Sequence, residues 1–195
     1  MAEPIHAPAP EISRLSLDEI MKAIADQRLP PVEKWQPDHC GHSDMRIAAD
    51  GTWFYAGSPI GRAPLVRLFS SVLRREPDGS HVLVTPVEKL DIAVDDAPFV
   101  AVELTSERKG ESRRLAFRLN TDDIVIAGPD HPIRVALADD GTPRPYLHVR
   151  GRIGNGLEAL IARPLFYELA EMALSEQQDE RVGIWSGGAF FAFPH

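Results

Sequence analysis

Apolar positions at helical spacing occur twice in this chain, at matching distances from Pro64 and from Pro164. Leu65, Val66, Phe69, Val72 and Leu73 follow the first proline; Leu165, Phe166, Leu169, Met172 and Ala173 follow the second. The spacing i, i+1, i+4, i+7, i+8 draws one stripe along a helix, and a proline fits the first turn because its missing N–H is not needed there. The pattern predicts helices over residues 63–75 and 163–175. Arg74 and Arg75 then sit favourably at a helix C-terminus. A shorter stripe, Leu17, Ile20, Met21 and Ile24, follows Ser16 and Glu19 in capping-box spacing. It predicts a leading helix over 17–27, stopped at Leu29-Pro30-Pro31 because proline cannot continue a helix.

Elsewhere the pattern is that of strands. Residues 45–49 and 52–56 flank Asp50-Gly51, a hairpin signal, and residues 133–138 and 145–150 flank Asp140-Gly141 in the same way. Further strands are predicted over 81–85, 90–94, 99–105, 113–119, 124–127, 181–185 and 189–193. Leu115, Phe117 and Leu119 share one face and Arg114, Ala116 and Arg118 the other, the alternation of a half-buried antiparallel hairpin. Residues 39–44 read as a polar loop turned by Gly41, and 151–162 as a long glycine-containing connection. The segment from Arg46 to Thr52 is echoed by that from Arg134 to Thr142. The fold class predicted is α+β, with two tandem structural repeats of antiparallel strands packed on a helix. The N-terminal repeat domain with its leading helix covers 1–88 and the C-terminal repeat domain 89–195. No alternating βα pattern supports a parallel nucleotide-binding sheet.

Composition narrows the function only a little. The formal net charge of −8 over 195 residues argues against a nucleic-acid partner, which would need a basic face, without excluding a local basic pocket. One cysteine, Cys40, allows no internal disulfide. No run approaches the roughly 18 apolar residues of a membrane span. The N-terminus lacks the basic start and apolar core of a secretory signal, so the cytoplasm is expected.

No enzyme or cofactor motif stands out. There is no Gly-x-Ser-x-Gly elbow and no phosphate-binding loop, and Gly151-Arg-Ile-Gly-Asn-Gly156 does not satisfy Gly-x-Gly-x-x-Gly. No cofactor is therefore expected. His39, Cys40, His42 and Asp44 are the one cluster of metal-ligand types, but a zinc site needs about four ligands with tetrahedral reach, and no second cluster exists. Asp95-Asp96 reads as turn chemistry. Arg62 and Arg163 are unusual, because a cation is disfavoured at a helix N-terminus. With the glycines of the preceding loops they would form an anion cradle; the plainer reading is that each pairs with a nearby carboxylate.

A resemblance adds to this. Asp44-Met-Arg-Ile47, Asp50-Gly-Thr-Trp-Phe-Tyr55, Gly57-Ser-Pro-Ile-Gly-Arg62, Leu65-Val-Arg-Leu-Phe69, Leu83-Val-Thr-Pro-Val-Glu88 and Asp96-Ala-Pro-Phe99 resemble a proteobacterial family labelled only as a domain of unknown function (domain of unknown function 1285). The resemblance implies a duplicated core whose C-terminal half is superficially pleckstrin-homology-like. It also implies a site between the halves for a nucleotide-like ligand, and a role in signal transduction. On this basis a small anionic ligand is expected to meet Gly61 and Arg62 with its phosphate and Trp53 or Tyr55 with its flat part. Glu88 and Lys89, taken as part of the connection between halves, would line the cleft, and Arg150 and Arg163 would reach in from the second half. A hydrolase-type enzyme using His148 and a carboxylate, a metal-binding module, and a structural or interaction protein are the alternatives.

Overall fold

The computed structural model describes residues 29–176 and 181–194. The leading helix expected over 17–27 lies outside them. Strands β1 (His39–Ile47), β2 (Trp53–Tyr55) and β3 (Ser58–Pro59) come first, then helix α1 (Ala63–Ser71), then β4 (Leu73–Arg75), β5 (His81–Val84) and β6 (Glu88–Val94). The second half continues with β7 (Phe99–Glu107), β8 (Arg114–Leu119), β9 (Ile124–Ile126), β10 (Ile133–Leu137), β11 (Pro143–Arg150) and β12 (Leu157–Ile161). Helix α2 (Arg163–Ser175) and the hairpin β13 (Gly183–Ser186) and β14 (Ala189–Ala192) complete it.

Two six-stranded sheets result, in the orders β3-β2-β1-β6-β5-β4 and β10-β11-β12-β7-β8-β9. Both are built alike. Three strands step outward from the centre, three return to it, and the first and sixth lie side by side in parallel. All other pairings are antiparallel. The tandem repeat is therefore the six-stranded sheet, and the α+β class with duplicated units holds. The two helices occupy different places in it: α1 lies between the third and fourth strands of its unit, whereas α2 follows the sixth. In the second half a curled sheet followed by a helix gives the superficially pleckstrin-homology-like layout.

Local chemistry explains where the elements depart from the pattern. The apolar stripe predicts α1 to residue 75, yet the helix stops at Ser71. Ser70 and Ser71 turn their hydroxyls back onto the carbonyls of Arg67 and Leu68, at 2.9 and 2.7 Å, in competition with the helix. Leu73 is then fully buried as the strand partner of Leu83, so Arg74 and Arg75 belong to β4. Residues 39–44 are no loop: His39 to His42 pair in parallel with Glu88 to Asp91. The same pairing puts Glu88 and Lys89 in a sheet rather than in a connection. Residues 157–161, read as part of a long connection, form the central strand β12. Ala116, placed on the open face of β8, is fully buried.

Both sheets share one core. A continuous cluster runs from Met45, Ile47 and Trp53 of the first unit through Phe99, Phe117 and Leu147 to Ile184 and Phe193. Each such side chain contributes about 1.5–3 kcal/mol by leaving water. Helix α1 joins it through Phe69, stacked on Trp53 at 6.4 Å between ring centroids, and α2 through the buried Leu165, Leu169 and Ala173.

Candidate functional site

Where the sheets meet, a cavity of about 280 Å³ is walled by the end of β4, the end of β11 and the loop that joins β11 to β12. Its shape is set by that loop, 151–156. Gly151 and Gly154 hold φ of +84° and +85°, a left-handed backbone that side chains resist. Gly156 lies so close to the strand before it that a Cβ would stand 2.3 Å from the Arg150 carbonyl oxygen and 2.5 Å from His148 Cε1. Asn155 ties the loop to the first unit by donating from Nδ2 to the carbonyls of Glu76 and Pro77, at 3.1 and 3.3 Å.

Four arginines and two glutamates line this cavity. Arg74 is neutralised: its Nε donates to Glu76 Oε1 at 2.7 Å, and its Nη1 donates to the carbonyls of Val32 and Trp35, both at 2.8 Å. Glu76 is shared with Lys89, 3.3 Å away. Arg75 and Arg150 donate to carbonyls, and Arg150 also lies over the Phe99 ring, 5.7 Å from its centroid. Arg75 donates to Gly79 O at 3.2 Å and Gly156 O at 3.4 Å. Arg150 donates from Nη2 to the Ser70 carbonyl and, at 3.1 Å, to that of Leu73, capping the end of α1 from the second unit. Its Nε is buried without a partner among the described residues. Burial pushes the Arg150 pKa down, while Asp123 and Glu33 act the other way. Arg152 is exposed on the loop. Among the described residues no carboxylate stands in ion-pairing range of Arg75, Arg150 or Arg152. The result is an excess of positive charge in an acidic protein, beside a glycine-containing loop. Such an arrangement can hold an anion.

The residues expected to form one site are divided. Arg150 lines this cavity. Lys89 is on its fringe through Glu76, and Glu88 starts β6 beside it. Trp53 and Gly61 line a second cavity, of about 260 Å³, together with Ile60, Val66, Arg67 and the turn between β8 and β9. Tyr55 is 57% exposed at the end of β2 and lines neither. Arg62 is the exposed N-cap residue of α1, with no side-chain cap bond. Arg163 is exposed at the start of α2, where its charge helps to lower the pKa of Asp140, behind the larger effect of hydrogen bonds from Thr52's counterpart Thr142. Sequence reasoning missed Arg75, Arg152 and Asn155. Only the glycines of 151–156 hinted at them.

The alternative chemistries find these surroundings. His148 is buried; its Nε2 lies 3.2 Å from Gly151 O and its ring is stacked near His131, at 6.2 Å. Burial lowers its pKa; the Gly151 hydrogen bond, next in size, opposes this, and the weaker His131 and Glu158 charges lower and raise it respectively. Glu158, its register partner, is engaged by Arg134 through two bonds of 2.6 and 2.5 Å. His39, Cys40 and His42 are strung along β1, where successive side chains alternate faces. Among the described residues no three His, Cys, Asp or Glu gather as metal ligands would. No described helix is long and apolar enough to cross a membrane.

Fold and cavity together define a duplicated two-sheet α+β protein with an arginine-lined junction. The chain belongs to the DUF1285 family: residues 30–97 match its N-terminal domain, described as a domain of unknown function, and residues 98–193 its C-terminal domain, described as a protein of unknown function. It is similar to the crystal structure of a DUF1285 family protein from Silicibacter pomeroyi DSS-3, with 47% identity, 91% of this chain and 94% of that one covered, and a TM-score of 0.78. A DUF1285 family protein from Shewanella baltica OS155 is more distant, at 27% identity, 66% and 91% coverage, and a TM-score of 0.50. No curated protein matches the sequence.

Proposed function

We propose that the protein binds a small, multiply charged anion in the cavity between its two sheets. One observation carries this reading: Arg75, Arg150 and Arg152 converge on a glycine loop with no carboxylate in ion-pairing range among the described residues. Arginine presents planar, bidentate donors suited to phosphate and carboxylate. The cavity is small and its lining contains no aromatic ring. A nucleotide would find no stacking partner there, and a compact phosphate- or carboxylate-rich metabolite fits better. The anion would touch both units at once, so its binding would alter their junction. That is the property a signalling module needs.

The test is a thermal-shift and calorimetric screen with pyrophosphate, citrate, a sugar bisphosphate and ATP. The compact polyanions are expected to stabilise the wild type, less so at high salt. Arg152→Ala, exposed and so harmless to the fold, is expected to weaken binding by about tenfold, corresponding to one lost charge-assisted hydrogen bond. Stabilisation by no anion, or binding by both Arg152→Ala and Arg75→Ala as tight as that of the wild type, would remove the site.

A further inference from the structure

We infer that the protein pairs with a second copy of itself along the open edge of β1, residues 37–43 of the two chains lying side by side as antiparallel strands. The inference is independent of the anion reading, because the edge shares no residue with the lining of the first cavity.

Strand β1 is nine residues long, and its two sides are paired over different lengths. On one side β6 pairs with it at both ends, over His39 to His42 and again at Arg46 and Ile47. On the other side β2 reaches only Met45, Arg46 and Ile47, and a bond from Ala56 N to Asp44 O at 3.0 Å closes that ladder. Among the described residues no strand pairs with His39 to Ser43 on this second side. His39, Cys40 and His42 are exposed. Such an edge is a row of N–H and C=O groups ready for another strand, and proteins guard it with lysine, proline or a covering element. Residues 39–43 contain neither lysine nor proline. The other sheet edges are short or covered: β3 has two residues and includes Pro59, β4 and β9 have three each, and β10 packs against β14.

The limits of the opening fix the register. Pro37 has no N–H to give at one end, and beyond Ser43 the place is taken by β2 at the other. A two-fold antiparallel pairing that uses the whole stretch has its axis at Cys40. It faces His39 with Gly41 and Asp38 with His42 of the second copy. The chemistry of the side chains agrees, because an imidazole facing a carboxylate favours a cross-strand rung. The interface is isologous, so this rung occurs twice. Moving the axis to Gly41 would instead face Asp38 with Asp44, two carboxylates, which oppose each other. His42 already has one carboxylate in its own chain, Asp91 Oδ2 at 3.7 Å from its Nδ1, and pairing would place its ring between two.

Sedimentation equilibrium of the full chain under reducing conditions tests this. The wild type is expected to show a concentration-dependent monomer–dimer equilibrium. His42→Asp sets two carboxylates against each other on both rungs and is expected to weaken the dimer at least about tenfold. The exchanged variant, Asp38→His with His42→Asp, rebuilds each rung with its ends reversed and is expected to return to within about threefold of the wild type. A nitroxide on Cys40, the sole cysteine, reports the register: the dimer is expected to show dipolar broadening that dilution with unlabelled protein removes. A wild type that stays monomeric into the millimolar range overturns the inference, as it would if the edge served a different partner. A dimer left as tight by His42→Asp, not recovered by the exchanged variant, or giving an unbroadened Cys40 spectrum overturns it too.

Discussion

His81 opens β5 directly opposite Arg75, which lines the cavity between the two sheets. Burial and, behind it, the Arg75 charge push the imidazole pKa from 6.5 down to about 4. The folded protein therefore keeps His81 neutral at pH values where the unfolded chain protonates it. Between about pH 6.5 and 4 the unfolded state binds more protons at this position, and stability falls as the pH falls. His148, also depressed, adds to the same slope. His81→Gln should retain more of its neutral-pH stability at pH 5 than the wild type does, read as a smaller drop in urea midpoint. An identical drop in the two proteins would show that His81 titrates alike in both states.

At the scale of elements, the loop between β11 and β12 is pinned at one glycine. Ala at position 156 would drive its Cβ into the Arg150 carbonyl and the His148 ring, neither of which can swing away. Gly156→Ala should cost about 2–4 kcal/mol by this overlap. Gly141 is the contrast: its φ is +78° but its Cβ position is open. Gly141→Ala should cost only about 1–2 kcal/mol of backbone strain. Urea denaturation of the two variants decides, and equal losses would mean that the loop moves aside. The elements differ in how far they could be read from sequence. Helix α2 has an uninterrupted stripe and matches its predicted span. The stripe of α1 runs on into β4, because Leu73 is apolar for the sheet's sake and happens to fall in helical phase. That coincidence hid Arg75. Strand β12 does carry an alternation, with Leu157, Ala159 and Ile161 buried, but the glycines ahead of it made the segment read as loop. Of the cavity arginines only Arg150 was legible. The cavity joins residues near 33, 75 and 150, and which distant segments meet is decided by sheet pairing that local pattern does not encode.

At the scale of the whole molecule, one apolar cluster spans both units, and Arg67–Asp122, Arg150 and Asn155 cross between them. Unfolding of one unit would strip the core of the other, so the chain should unfold in a single step. Trp35 and Trp53 report on the first unit and Trp185 on the terminal hairpin. Variants retaining one tryptophan each should show coincident urea transitions; separated midpoints would mean two independently stable halves. The parallel pair at the centre of each sheet has a mechanical consequence as well. Because β1 and β6 run side by side in the same direction, the chain enters the first unit at one end of the pair, near His39, and leaves at the other, near Val94. Tension along the chain pulls the two strands past each other, loading their rungs together in shear, while the outer meanders bear no load. The pair β7 and β12 is arranged in the same sense but is held in register over only Phe99 to Ala101, against Ala159 to Ile161. Under force the second sheet is the one with fewer rungs to share the strain, and the first is the stronger clamp.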